Sequence, residues 1–87
     1  MARVVLTRSA RRVLITLDYI LAEAVLDSIG VLEREPQVGH ALRGRLQGLC
    51  SLRVGVYRII YALRDEDATV RVIAIRHRTE AYQTDPR

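Results

Sequence analysis

The sequence has too few cysteine and histidine residues to build a disulfide framework or a metal site. It contains one cysteine, Cys50, and two histidines, His40 and His77. A single cysteine cannot form an internal disulfide, and no known spacing of zinc ligands can be assembled from these three residues. We therefore expect this protein to use no metal ion and no cofactor.

The chain also lacks a long apolar segment. The N-terminal apolar run of Val4, Val5 and Leu6 is followed almost at once by Arg8, which is not the pattern of a signal peptide. No stretch approaches the roughly 18 uninterrupted apolar residues that a membrane span needs. We therefore expect no membrane contact and a cytoplasmic location.

Proline and glycine are scarce, with two and five residues, whereas 49% of the residues are hydrophobic. This composition is typical of a packed globule and not of a disordered chain. A chain of 87 residues is also shorter than the length at which proteins divide into separate hydrophobic cores. Residues 1–87 are therefore expected to form a single domain.

Lysine is absent, so all fourteen basic residues are arginine, and the formal net charge is +4. Residues 1–40 hold five arginines and five acids, whereas residues 41–87 hold nine arginines and five acids. The positive excess therefore lies in the second half. Because the guanidinium group is planar and permanently charged, it suits phosphate oxygens. The excess indicates either a solvated charged face or a polyanionic partner.

The first half of the sequence predicts one strand and two helices. The β-branched run Arg3–Thr7 predicts a strand at the edge of a sheet. From Ser9 to Glu35 apolar residues recur every three or four positions, which is helical spacing. One helix of that length would measure about 36 Å, whereas a compact chain of this size has a radius of gyration of about 12 Å. We therefore expect a break at Asp18, which can cap a second helix, and an antiparallel pair of helices near residues 9–17 and 19–34.

The second half predicts a loop and then a sheet. Residues 36–48 contain one proline and three glycines and are expected to form a loop from which Arg43 and Arg45 project. Three runs rich in Val, Ile, Leu and Tyr follow, and the short turns between them indicate an antiparallel meander. The predicted fold is α+β, with both helices on one face of a four-stranded sheet. The three predicted strands of the meander are Cys50–Val54, Tyr57–Arg64 and Thr69–Arg76.

Alternation along the second of these strands separates its side chains into two sets. Tyr57, Ile59, Tyr61 and Leu63 are expected to face the helices. Arg58 would then point to the uncovered face of the sheet, as could the arginine at the end of the last strand. A single arginine on a strand is more often solvated than functional, but several converging arginines favour a binding site.

Two blocks of the sequence resemble the RelE/ParE toxin superfamily. The segment Leu46–Tyr61 reads LQGLCSLRVGVYRIIY, which is similar to that family's signature of leucine and glycine followed by L-R-x-G-x-Y-R, two hydrophobic residues and tyrosine. The later segment Ile75–Arg78, with Tyr82 four residues on, resembles the family's closing H-R and Tyr element. The resemblance covers nearly the whole chain and implies a type II toxin that a cognate antitoxin holds inactive.

The RelE branch of this superfamily implies cleavage of mRNA in the ribosomal A site without a metal ion. A ribose 2′-OH would attack the adjacent phosphate, leaving a cyclic phosphate and a 5′-OH fragment. The implied partners are the antitoxin, mRNA and the ribosome, and the toxin–antitoxin complex could also bind operator DNA. Two alternatives stay open. The chain could be a ParE-like inhibitor of DNA gyrase that cuts no RNA, or a degenerate member that only binds its antitoxin.

The resemblance also assigns roles to individual residues. Arg58 and Arg76 match family arginines and would stabilise the phosphate. Tyr82 matches a C-terminal tyrosine that stacks on a base or transfers a proton. His77 is the candidate general base, since histidine changes its charge near neutral pH, although a structural histidine on the helix-covered face is the alternative. Further candidates for binding RNA phosphates are Arg43, Arg45, Arg53 and Arg78.

One departure from the family pattern concerns the strand before the Y-R element. The family has basic residues there that assist catalysis, whereas residues 49–52 of this chain are Leu, Cys, Ser and Leu. Arginine cannot replace lysine as a proton carrier because it stays charged. This departure is the reason for taking His77 as the candidate base.

Overall fold

The computed structural model describes residues 1–87 as two helices and five strands. A short 3-10 turn, Gly44–Leu46, precedes the third strand. Neither helix is long and apolar enough to cross a membrane. In chain order the elements are β1 (Arg3–Leu6), α1 (Arg8–Thr16), α2 (Tyr19–Arg34), β2 (His40–Ala41), β3 (Cys50–Val54), β4 (Tyr57–Arg64) and β5 (Thr69–His77).

Both helices begin at a side-chain cap. The Thr7 hydroxyl accepts a hydrogen bond from the amide of Ala10 at 3.2 Å, and the Asp18 carboxylate accepts one from the amide of Leu21 at 3.1 Å. Each cap satisfies an amide that the first turn of a helix leaves without a partner. Leu17 and Asp18 are extended, so the predicted break at Asp18 is confirmed.

The five strands form one mixed sheet in the order β1-β5-β4-β3-β2. β1 pairs with β5 in parallel, which confirms the predicted edge strand, and the other neighbours are antiparallel. The prediction of four strands is wrong. A fifth strand, β2, lies inside the predicted loop, and its residues His40 and Ala41 pair with Ser51 and Cys50 of β3. A strand of two residues between glycines is too short to produce a periodic pattern.

The main core lies between the helices and the sheet. Tyr57, Ile59, Tyr61 and Leu63 all belong to it, so the prediction from their alternation is confirmed. The phenol of Tyr61 is buried and accepts a hydrogen bond from the amide of Gly39 at 3.1 Å. Helical residues that pack against these strand residues include Ala10, Val25 and Leu32.

Cys50 lies directly opposite Tyr61 in the register of β3 and β4. Burial raises the pKa of the Cys50 thiol, and a hydrogen bond to Tyr61 partly opposes that shift. Burial likewise raises the pKa of the Tyr61 phenol, and the bond from the Gly39 amide partly opposes it. Both groups are therefore favoured in their neutral forms in the folded protein.

The opposite face of the sheet is partly covered, whereas the sequence predicted an uncovered face. Leu46, the last residue of the 3-10 turn, and Leu49 pack with Ala81 over the middle of this face. The strand residues beneath them include Ile60 and Ala62. The sequence predicted helices on one face of the sheet and nothing on the other. It missed this small second core because the covering residues come from a loop and from the C-terminal segment, residues 78–87.

A β-bulge in β5 determines which arginines share this second face. Ile60 pairs with Ala74 and Tyr61 pairs with Val72, which leaves Ile73 as an extra residue. A bulge reverses the alternation of side chains beyond it. Arg71 and Arg76 are five residues apart and would otherwise point to opposite faces; because of the bulge, both lie on the face away from the helices. We call this surface the arginine face. Its members are Arg53, Arg58, Arg64, Arg71 and Arg76.

Candidate active site

Three residues of the arginine face form a row across β3, β4 and β5. Arg53 lies opposite Arg58, and Arg58 lies opposite Arg76. The Cβ atoms of directly opposed residues are about 4.5–5.5 Å apart, and like charges in such pairs destabilise a sheet. The row therefore costs the fold some stability, and an anion placed against it would be attracted by three positive charges. We call these three residues the arginine row.

Arg58 occupies the centre of the arginine row. Its Nη1 atom is buried and makes no hydrogen bond within the protein. The chain has one ion pair, between Arg87 and Asp85, so no carboxylate neutralises Arg58. A buried N–H donor without an acceptor is costly, which favours an anionic oxygen from a ligand at this atom.

Arg76 and Arg45 fix the C-terminal segment over the sheet. Arg76 Nη1 donates to the carbonyl oxygens of Ala81 at 3.3 Å and Thr84 at 2.7 Å. Arg45 Nη2 donates to the carbonyl oxygens of Tyr82 and Gln83, each at 3.3 Å. These two arginines therefore hold the backbone on both sides of the Tyr82 side chain.

Arg87 fastens the end of the same segment. Its guanidinium donates to the carbonyl oxygen of Arg45 at 2.7 Å and to that of Gln47 at 3.0 Å. Hydrogen bonds from Arg87 hold the pKa of the Asp85 carboxyl below its usual range. The C-terminal segment is thus tied to the 3-10 turn by contacts at two points.

Tyr82 places its phenol next to the arginine row. The hydroxyl lies 2.8 Å from Ser51 Oγ, and Ser51 is two residues from Arg53 on the same face of β3. Ser51 is 4% exposed, whereas Tyr82 is 40% exposed. The phenol tip is therefore anchored, while much of the ring stays accessible to a ligand that contacts the row.

The comparison with known proteins decides the family. A family model described as the ParE toxin of type II toxin-antitoxin system, parDE, matches residues 4–82. The chain belongs to this family.

Two curated relatives are toxins of Mycobacterium tuberculosis. The toxin RelG is 43% identical over 79 residues, covering 88% of this chain and 91% of the relative. The toxin RelE is 36% identical over 85 residues, covering 95% and 88%. The predicted superfamily, and its RelE-like branch, are thereby confirmed. Nothing among these relatives supports the gyrase alternative.

Solved structures confirm the predicted fold. The toxin matches a chain of the toxin–antitoxin complex RelBE2 from Mycobacterium tuberculosis with a TM-score of 0.79 and 40% identity, covering 88% of this chain and 98% of the other. It also matches the isolated RelE toxin of E. coli with a TM-score of 0.76 and 19% identity, covering 88% and 84%. The second likeness concerns the fold alone.

His77 is not brought to the arginine row. It lies opposite Tyr57 in the register of β4 and β5, and the two rings meet edge to face with centroids 5.6 Å apart. Its Nδ1 lies 2.9 Å from the hydroxyl of Thr79. Because Tyr57 packs on the helix side of the sheet, the His77 ring lies on the opposite face from Arg58.

Two other predicted phosphate-binding arginines lie apart from the row. Arg43 and Arg78 are exposed; Arg43 precedes the 3-10 turn, and the backbone amide of Arg78 donates to the carbonyl oxygen of Val56 at 2.7 Å. No side-chain hydrogen bond or ion pair joins either residue to the row.

Ser51 is the site residue that sequence reasoning missed. It falls within the stretch where the family pattern has basic residues, and its place two residues before Arg53 put it on the same face. Its contact with Tyr82 depends on how residues 81–84 fold back over the sheet, and no local pattern in the sequence encodes that path.

Proposed function

We propose that this toxin is a metal-independent endoribonuclease that cuts mRNA on the ribosome. The observation that carries the proposal is the buried Nη1 of Arg58, which has no acceptor in the protein and lies at the centre of three aligned arginines. Cleavage by attack of a ribose 2′-OH passes through a phosphorane with added negative charge. Donors that are already aligned where this charge develops lower the barrier.

Arg58 and Arg53 are proposed to contact the phosphate that is attacked. Two guanidinium groups on neighbouring strands can each donate to a different phosphoryl oxygen, and their planar forks suit that geometry. Arg76 has a second role in this proposal. Its Nη1 is used to hold the backbone near Tyr82, while its charge remains in the arginine row beside the phosphate.

Tyr82 is proposed to act on the leaving group. The attacking 2′-OH loses its proton to solvent water. The phenol of Tyr82 is held beside the row by Ser51 and can supply a proton to the departing 5′ oxygen, or stack on a neighbouring base. Its partial exposure permits either contact. We assign proton transfer to Tyr82 and not to His77, because the His77 ring lies against Tyr57 on the other face.

The toxin is further proposed to bind a cognate antitoxin that carries acidic residues. Two similar structures are complexes of two proteins, the toxin–antitoxin complex RelBE2 of Mycobacterium tuberculosis and the archaeal RelE-RelB complex of Pyrococcus horikoshii. In this chain thirteen of the fourteen arginines form no ion pair. An acidic segment laid over them would neutralise their mutual repulsion.

The decisive experiment compares purified toxin on ribosome-bound mRNA, on naked RNA and in a gyrase supercoiling assay. We expect cleavage only in the presence of ribosomes. Arg58→Ala should lower the rate by about 100-fold or more, the usual effect of removing one donor to a developing charge. Arg12→Ala, which removes an exposed arginine of α1, is the matched control and should cleave like wild type. Inhibition of gyrase with no cut RNA would contradict the proposal.

A further inference from the structure

A second basic pocket lies on the arginine face, away from the arginine row. It has a volume of about 260 Å³, and its walls include Arg64, Arg71 and Arg87 together with the hydroxyl residues Thr7 and Ser9. No acidic side chain lines it. A wall that combines guanidinium and hydroxyl donors with no carboxylate is suited to an anion.

Arg64 and Arg71 are the two cations of this pocket that remain available. Both are exposed, and neither side chain takes part in a hydrogen bond or ion pair, whereas Arg87 is bound to Asp85 and to two carbonyl oxygens. Arg71 lies opposite Ala62, and Arg64 is two residues further along β4. The two arginines are therefore diagonal neighbours on one face, and such neighbours are about 7–8 Å apart, within joint reach of one phosphate group.

Of the two hydroxyl groups in the pocket, only that of Ser9 is free to donate a hydrogen bond to a ligand. The Thr7 hydroxyl is already used, because it donates to the carbonyl oxygen of Ile73 at 2.7 Å and caps α1. The Ser9 hydroxyl makes no hydrogen bond within the protein. The first turn of α1 has no acidic residue, so its amides add to the positive potential of the pocket.

The bulge at Ile73 connects this pocket with the candidate active site. Because the bulge reverses the alternation in β5, Arg71 and Arg76 open onto the same face. They are five residues apart, about 16 Å along a strand. Leu46, Leu49 and Ala81 cover the stretch of β5 between them. A single RNA strand that places one phosphate at the arginine row can therefore pass over this covering layer and place another near Arg71.

We propose that Arg64 and Arg71 form a second phosphate subsite, which holds a backbone phosphate of the RNA strand at a distance from the bond that is cut. This subsite rests on the proposed function and extends it. Guanidinium contacts to backbone phosphates carry no base information, so the subsite fixes the path of the strand across the toxin independently of its sequence.

The test measures binding of RNA to the toxin alone, by fluorescence anisotropy over a range of salt concentrations. The probes are a dinucleotide, which reaches only the row, and a longer oligonucleotide with a 2′-deoxy residue at the cleavage position. Arg64→Ala combined with Arg71→Ala should weaken binding of the longer probe by about tenfold or more. It should also reduce the slope of log K against log salt by about 0.7, the value for one phosphate of a single strand. Binding of the dinucleotide should stay unchanged.

Two control proteins isolate the effect of position from that of charge. Arg12→Ala with Arg34→Ala removes the same charge from the helices and should keep the wild-type slope. Arg64→Lys with Arg71→Lys keeps the charge and should restore most of the slope.

An unchanged slope in the double alanine variant would overturn the subsite while the proposed function stands. Weakened binding of the cognate antitoxin with unchanged RNA binding would assign the pocket to an acidic protein partner instead. Failure of the wild-type toxin to bind the longer probe would overturn the subsite, whereas the proposed function is tested separately by cleavage of ribosome-bound mRNA.

Discussion

The contact between Ser51 and Tyr82 joins a buried residue of β3 to an exposed ring of the C-terminal segment. If this contact aligns the phenol for proton transfer, Ser51→Ala should lower the rate of cleavage about tenfold and leave KM unchanged, because small misplacements of a reacting group are costly. Single-turnover cleavage of ribosome-bound mRNA measures this effect.

Variants at the same two positions provide the controls for Ser51. Ser51→Thr keeps the hydroxyl and should retain most of the activity. Tyr82→Phe should be at least as impaired as Ser51→Ala, and adding Ser51→Ala to it should cost little more, since both changes remove one interaction. Independent, multiplying losses would contradict a positioning role for Ser51.

His77 provides the opposite case, since its ring lies on the helix side of the sheet against Tyr57. His77→Ala should therefore leave the cleavage rate close to that of wild type. It should lower the free energy of unfolding by about 0.5–1.5 kcal/mol, the value of an aromatic pair. Thermal unfolding and cleavage measured on the same preparation check both parts. A loss of cleavage of 100-fold with unchanged stability would restore His77 as the general base.

At the scale of elements, the C-terminal segment and the 3-10 turn depend on each other. The two hydrogen bonds from Arg45 hold the backbone at Tyr82 and Gln83, and exposed bonds of this kind contribute about 0.5–1.5 kcal/mol each. Arg45→Ala should therefore increase amide hydrogen exchange in residues 81–84 by about tenfold. Arg43→Ala removes a neighbouring arginine that has no such bonds and should leave exchange unchanged. Equal exchange in the two variants would show that Arg45 does not fix the segment.

The elements differ in how far the sequence predicts them. Both helices follow from a regular apolar spacing and from Asp18 as a cap, and β3 to β5 follow from runs of Val, Ile and Leu between turns. The bulge at Ile73 does not, because the run Val-Ile-Ala-Ile in β5 lacks the polar alternation that would mark a change of face. The sequence therefore suggested that Arg76 could lie on the same face as Arg58. The reason why Arg71 lies there too is the bulge, which is visible only in the register of β4 and β5.

The candidate site likewise contains some residues whose positions the sequence predicts and others whose positions it does not. Arg53, Arg58 and Arg76 belong to strands that the sequence predicts, so their meeting follows once the strand order is known. The position of Tyr82 and its contact with Ser51 depend on a segment without regular structure that packs through single hydrogen bonds. Contacts of this kind lie far apart in sequence and leave no periodic pattern.

At the scale of the whole molecule, the toxin carries more positive charge than its own acids neutralise. One ion pair forms among fourteen arginines and ten acids, and opposed arginines occupy neighbouring strands. This distribution lowers the stability of the isolated chain and favours anionic partners. The same surplus thus serves both the proposed RNA and the proposed antitoxin, which would compete for the arginine face.

The stability of the whole fold should depend on pH in the alkaline range. Burial raises the pKa of Tyr61 above its ordinary value of 10.0 and that of Cys50 above 9.0. A pKa that is raised on folding stabilises the protein fully below the unfolded value, and the contribution is lost as pH rises through the folded value. Urea unfolding should therefore give a constant contribution from these groups below pH 9.0, and a falling free energy of unfolding from there to beyond pH 10.0.

Variants separate the two groups in this alkaline transition. Cys50→Ala should remove the part that begins near pH 9.0. Tyr61→Phe should remove the later part, although it also lowers stability at neutral pH because the Gly39 amide loses its acceptor. Tyr19→Phe changes an exposed tyrosine and should keep the wild-type profile. A wild-type stability that stays flat above pH 10.0 would show that ionisation of the buried phenol does not oppose folding.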